Sequence, residues 1–290
     1  MKYRNVVTYV NEIIGQYGIS LTLRQIFYRL VANYDYPNTK SMYTQLSRHL
    51  VKARKLGDVD ESRIEDRSRE FIGGDDGFEN PDDFISHRIN HFLASPKYYQ
   101  RRMWSSQPEF IIIWIEKDAL SRVVSMMADK FNVITAPSKG YASYTYIKSA
   151  IERLPKGKEI TVLHFADHDP SGIDMTRDLK DRLNAYSNLN IAVQRIALTY
   201  DQVREYKLSP NPAKSADPRA IQYSSNFGNE CWELDAIEPS ELQRLVYEAI
   251  SNHVDLPTWK KIFEQEKYEK QKLEALFSSI AKLLKEHKYM

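Results

Sequence analysis

Cys231 is the only cysteine among 290 residues, which excludes an intrachain disulfide and a zinc site built on paired cysteines. A reducing compartment fits. Long apolar runs are also missing. The longest covers residues 110–115, far below the roughly 20 residues of a membrane-spanning helix, so none is expected. Lys2 and Arg4 near the start are followed by apolar residues mixed with Asn, Glu and Gln, with no h-region of a secretory signal, and a cytoplasmic location is expected. Neither sign of charge is in excess: 41 basic and 39 acidic residues leave a net +2, so only the distribution of charge can inform about partners. No GxxxxGK[ST] loop is present. Any use of ATP would need a separate ATPase partner, which this chain does not imply. With 42% apolar residues, the length suffices for a sizeable core and about two domains.

The first hundred or so residues read as short helices rich in Arg and Tyr. From Glu109 the texture changes. Glu109–Ile115 and residues 131–136, 160–166 and 191–198 are β-rich, separated by helical patterns at 119–130 and 144–154. Such alternation predicts an α/β fold with a parallel sheet flanked by helices, and a domain boundary near Gln107 and Pro108, giving domains 1–107 and 108–290. Pro210, Pro212, Pro218 and Gly228 mark residues 209–229 as a long irregular loop. Residues 240–252 and 259–288 read as helices. In the second, Leu273, Leu276, Phe277, Ile280 and Leu284 at helical spacing predict a docked extension of the sheet domain.

Three acids follow predicted strands. Glu116 succeeds the strand at 109–115, while Asp167 and Asp169 succeed the strand at 160–166. Ligands of parallel sheets bind beyond the carboxyl ends of strands, so these side chains could share one pocket. An extended Asp167-His168-Asp169 would turn both aspartates to one side, as a shared cation requires. Oxygen ligands suit Mg²⁺ completed by phosphates. Any one of these acids alone could equally be a solvated loop residue or a helix cap.

Thr22 predicts an N-cap for a helix to about Asn33, in which Leu23, Ile26, Phe27, Leu30 and Val31 form an apolar stripe. Tyr28 lies roughly 130° from the centre of that stripe, on the polar face beside Arg24. A phenol next to a cation is a candidate nucleophile, because the charge stabilises phenolate and can hold a phosphate. A plain surface tyrosine is the alternative. Between Tyr36 and Gly57 there is no acid, but five Lys or Arg residues and His49. Leu46, Leu50 and Ala53 define one helix face, and Arg48, Lys52 and Lys55 the face about 200° away. This is the pattern of a recognition helix against DNA phosphates, or of a solvated lysine face. Arg63, Arg67 and Arg69, interleaved with Glu65, Asp66 and Glu70, read as salt-bridged.

The segment Glu116-Lys117 after one strand and Asp167-x-Asp169-Pro170-x-Gly172 after another resembles the Toprim domain. The string from Thr22 to Tyr28 resembles the Arg-x-x-aromatic-Tyr segment of topoisomerase VI A subunits and the related meiotic double-strand-break proteins. Glu233-Leu234-Asp235-Ala236 resembles a late segment of the same family whose role is unclear. The compactness is closest to the small stand-alone Mini-A group. The resemblance implies a winged-helix domain carrying Tyr28, then a Toprim domain. It implies Mg²⁺ held by Glu116, Asp167 and Asp169, with Glu116 also an acid or base, and Tyr28 as the residue joined to DNA, assisted by Arg24. Double-stranded DNA is the implied partner, contacted by Arg48, Lys52, Lys55, Lys117 and Lys139. A homodimer is implied too, in which the tyrosine of one protomer serves the metal site of the other. Lys139 lies in a loop that matches the family only in part, since Ser143 stands where proline is common. Asp174 could support the metal ligands. The function so implied is Mg²⁺-dependent DNA cleavage by transesterification. A Toprim nuclease using activated water, and a DNA-binding module inactive without a partner, remain the alternatives.

Overall fold

The computed structural model describes residues 2–65, 77–212 and 219–286, so the pairing expected at positions 66–70 and the residue Pro218 lie outside the described residues. In chain order the elements are α1 (Tyr3–Gln16), β1 (Leu21–Thr22), α2 (Leu23–Asn33), α3 (Lys40–Leu56), β2 (Ile64–Glu65), α4 (Pro81–Ala94), β3 (Glu109–Ile115), α5 (Ser121–Ala128), β4 (Ile134–Pro137) and α6 (Tyr144–Glu152). There follow β5 (Glu159–Phe165), α7 (Pro170–Tyr186), β6 (Ile191–Ala197), α8 (Tyr200–Glu205), β7 (Asn211–Pro212), α9 (Ala220–Phe227), β8 (Glu230–Cys231), α10 (Pro239–Ser251) and α11 (Leu256–Glu286). The stretch 209–229, expected to be one irregular loop, thus contains β7 and α9, and β8 follows directly after it. Among the described residues no helix is long and apolar enough to cross a membrane.

By its internal contacts the chain divides into two units. One comprises Met1–Arg69 with Glu109–His253, the other Glu70–Pro108 with Val254–Met290. A junction falls where Gln107 and Pro108 suggested one, yet residues 1–69 and 109–253 belong together. The reason is a long-range packing of α2 against the turn Leu234–Ala236, which no local pattern announces.

In the first unit a four-stranded sheet runs β4-β3-β5-β6, all parallel. Both faces of a parallel sheet are covered, so its central strands are apolar throughout rather than alternating. Residues 111–115 of β3 and 160–165 of β5 are accordingly all buried. Ile112, Trp114, Ile160 and Val162 share one core with Ile147 of α6 and Leu179 and Leu183 of α7. The alternate residues Ile111, Ile113 and Ile115 take the other face. There α5 packs on α10, with Val123, Val124, Leu242, Val246 and Ile250 buried.

At the start of this unit α2 begins where Thr22 predicts. The Thr22 hydroxyl accepts the Gln25 N–H at 3.2 Å while Gln25 Oε1 accepts the Thr22 N–H at 2.8 Å, a reciprocal capping box. Helix α3 buries Leu46, Leu50 and Ala53 as its periodicity requires and ends at Gly57 in the left-handed region. A winged-helix domain would add an antiparallel hairpin. Among the described residues of this segment, β1 and β2 form a two-residue parallel pair. Arg63 donates to the carbonyls of Ile14 (2.6 Å) and Tyr17.

In the second unit α11 packs near residues 95–106 and on α4. Phe277 packs against Phe92 with ring centroids 4.8 Å apart, Trp259 meets Trp104 at 5.6 Å, and the Tyr99 hydroxyl donates to Glu269 Oε2 at 2.6 Å. Helix α11, expected as an extension of the sheet domain, belongs to this unit and packs within it through Phe277, while Leu276 stays exposed.

Candidate functional site

The parallel register of β3 and β5 sets Ile115 beside Phe165, so the residues that follow emerge side by side. The Glu116 N–H donates to the Phe165 carbonyl at 2.9 Å, and Glu116 Oε2 accepts the Asp167 N–H at 3.0 Å. His168 continues as extended chain, exchanging backbone hydrogen bonds with Trp232 at 2.8 and 2.9 Å. Period-two alternation then turns Asp167 and Asp169 to one cavity of about 300 Å³, also lined by Arg24, Lys117, Asn211 and Glu233. His168 turns away, buried among Tyr200, Tyr223, Phe227 and Trp232 at centroid distances of 4.7–5.9 Å. Its Nδ1 lies 2.8 Å from the Tyr223 hydroxyl, and burial draws the ring down to a pKa of about 4, so it is neutral.

Asp169 is also the N-cap of α7, accepting the Gly172 N–H at 2.6 Å with Pro170 next in the chain. Gly172 is required there: a Cβ would sit 2.1 Å from the Asp167 carbonyl oxygen. Beneath this turn lies Arg195 of β6, a largely buried guanidinium. It donates to the carbonyls of Asp167 (2.5 Å), Ala166 (3.1 Å), Gly172 (2.8 Å) and Leu198 (3.1 Å). A charged residue inside a sheet strand was the available sequence signal for it.

Lys117, expected to face DNA, points inward. Its ammonium lies 3.0 Å from Asp167 Oδ1, 3.0 Å from Glu233 Oε2 and 2.6 Å from Asp235 Oδ2. Burial pulls its pKa down, but these three carboxylates outweigh burial and hold it well above the usual lysine range. The Leu234 N–H donates to Asp167 Oδ1 at 2.7 Å, so the segment 233–235 meets the acids through backbone and side chains alike. Burial pushes Asp167 up to about 7, Lys117 opposing and Glu116 and Asp235 adding to the rise. Glu116 is likewise raised, by burial first.

Tyr28 does not project into solvent. Only 3% of it is exposed, because the polar face of α2 is covered by the turn Leu234–Ala236: Arg29 donates to the Ala236 carbonyl at 2.5 Å. The Tyr28 hydroxyl accepts from Asn211 Nδ2 at 2.7 Å, and Asn211 lines the acidic cavity. The ring lines a neighbouring cavity of about 480 Å³ with Arg29, Tyr206 and Glu238. Burial, then Glu233, raise the phenol to about 12 against the pull of Asn211, Arg24 and Lys117. Arg24 donates to Glu233 Oε1 at 2.9 Å and lies 4.9 Å over the Tyr43 ring. Asn211 and the bridging role of Glu233 escaped the sequence reading. Only the string 233–236 marked the latter.

Arg48, Lys52 and Lys55 are exposed on α3, opposite its buried face, with Lys52 4.8 Å over the Tyr3 ring. Lys139 is 70% exposed and pairs with Asp118 at 3.3 Å. Asp174 does not support the acids at the strand ends: it is held by Arg177 at 2.7 Å and by the Tyr141 hydroxyl at 2.6 Å.

As a donor set Glu116, Asp167 and Asp169 fit a hard divalent cation, being all oxygen, and burial raises the first two despite the cation of Lys117 beside them. Among the described residues no three Asp, Glu, His or Cys side chains meet as ligands, and the Lys117 ammonium holds the point where Asp167, Glu233 and Asp235 converge. No family model matches the chain, and no curated protein matches it either.

Proposed function

We propose that the protein cleaves double-stranded DNA by transesterification, with Tyr28 as nucleophile, as the topoisomerase VI A family does. In this reading residues 1–107 act as a winged-helix domain and the sheet domain as Toprim. The observation that carries it is the cavity that Asp167 and Asp169 line together with Arg24 and with Asn211, the partner of the Tyr28 hydroxyl. The phenol oxygen attacks the phosphorus and one P–O ester bond breaks. The phenolic proton leaves to a base, the departing DNA oxygen gains one, and a phosphotyrosyl ester keeps the bond energy for resealing. Arg24 and Lys117 offer positive charge to the phosphoryl oxygens. Glu116, Asp167 and Asp169 would hold Mg²⁺, which when bound supplies Lewis-acid stabilisation of phosphoryl charge.

Incubating the protein with labelled duplex DNA and Mg²⁺, then denaturing, tests this. The expected result is DNA covalently attached to protein, lost in Tyr28→Phe and in Asp167→Asn. One observation favours a second reading, a nuclease using activated water: Tyr28 is buried and its phenol is raised to about 12, far from an ionised nucleophile. Cut ends without adduct, unchanged in Tyr28→Phe, would establish that reading instead. Binding without scission would leave a DNA-binding module.

A further inference from the structure

Glu233 divides its carboxylate between two cations that come from distant parts of the chain. Oε1 accepts from Arg24 on α2 at 2.9 Å, and Oε2 meets Lys117, just beyond β3, at 3.0 Å. The three side chains are partly buried, with 41%, 22% and 21% of Arg24, Glu233 and Lys117 exposed, so they border the cavity rather than close it. Two oxygens on one central atom, each taken by a different cation, is also how a phosphate is gripped. Arg24 has Glu233 as its acidic partner, whereas Lys117 keeps Asp167 and Asp235 when Glu233 is removed.

We propose that Arg24 and Lys117 form a subsite for a phosphodiester or free phosphate, and that the Glu233 carboxylate occupies it as an internal stand-in until phosphate displaces it. The inference rests on the DNA-cleaving reading for its ligand, but not for its geometry. Glu233 then tunes affinity: phosphate gains entry only by outcompeting a carboxylate tethered at the site. Glu233→Gln keeps the size of the side chain and removes the competing charge, which frees Arg24 above all.

The test is fluorescence anisotropy with labelled duplex DNA in EDTA, where cleavage is off, alongside thermal melting with inorganic phosphate. Glu233→Gln should bind DNA roughly two- to fivefold more tightly than wild type, the range expected when a partly exposed ion pair no longer competes. Its melting temperature should rise more with phosphate than that of wild type. In an Arg24→Ala background the gain should vanish. If the gain persists there, Glu233 merely repels anions at long range and the subsite is refuted. Equal or weaker binding of both probes by Glu233→Gln also overturns it. Should neither protein bind DNA while phosphate still favours the variant, the DNA-cleaving reading fails and the subsite stands. Glu233→Ala provides the same comparison if the Gln variant melts early.

Discussion

Asp167 answers to three neighbours at once: the Leu234 N–H, the Lys117 ammonium and the adjoining Glu116. Burial dominates, lifting its folded pKa from 3.8 to about 7. The native state therefore keeps a proton that the unfolded chain has lost, so metal-free stability is full below the lower value, falls as pH rises towards the upper one, and levels off beyond it. Asp167→Asn removes this titration while its amide oxygen can still accept from Leu234. In EDTA the variant should melt several degrees above wild type above pH ~8, and close to it below pH ~4. Melting curves that stay parallel across that window would show that Asp167 is ionised throughout in the native protein. The neighbouring Glu116 was legible in the sequence as a residue at a strand end. Its hydrogen bond to the Asp167 N–H was not, since it needs the two strands to be adjacent and in register.

Among elements, α3 is the one whose two faces agree most fully with its sequence period. Leu46, Leu50 and Ala53 are buried and Arg48, Lys52 and Lys55 exposed, because both sets recur every three to four residues on opposite faces. If that side meets phosphates, each cation releases a counterion, and log affinity against log salt should lose about 0.9 of slope per cation removed. Replacing all three with Ala should flatten the slope by about 2 to 3. A slope identical to wild type would show that this face does not touch DNA. Helix α2 shows where period fails. Its apolar stripe was readable, but the opposite face is buried as well, by Leu234–Ala236 and Asn211, roughly two hundred residues further along the chain. Helical phase marks which residues share a face; it carries no information on whether a distant segment covers it.

At the scale of the whole molecule, one chain offers one Tyr28, whereas a double-strand break has two scissile phosphates. Cleavage of both through adducts needs two copies. Within one chain Tyr28 and the acids belong to the same unit and are linked by Asn211, an arrangement in which each copy could serve its own strand. The resemblance to A subunits instead implies a site shared between protomers. Coexpression of Tyr28→Phe with Glu116→Ala, each inactive alone, separates the two. A shared site is restored once per hybrid dimer, and single-strand nicks should appear. Verified heterodimers that cut neither strand would refute sharing and leave the arrangement within one chain as the working one. A protein that stays monomeric on DNA would instead favour the nuclease reading.

Composition, period and strand-end position together determined the parallel α/β character, the strand at Glu109–Ile115, the capped start of α2 and the presence of acids beyond β3 and β5. These are local properties, set by side-chain period and by hydrogen bonds within a few residues, so a linear reading reaches them. Tertiary structure alone decided that Lys117 turns inward to three carboxylates, that Tyr28 is covered, that Arg195 braces the Asp167 turn and that Glu233 joins Arg24 to Lys117. Each of these depends on a contact between residues some 28 to 209 positions apart. Charge and burial at such points are properties of the assembled neighbourhood, and the pKa values of Asp167 and Tyr28 follow from it rather than from the residues themselves.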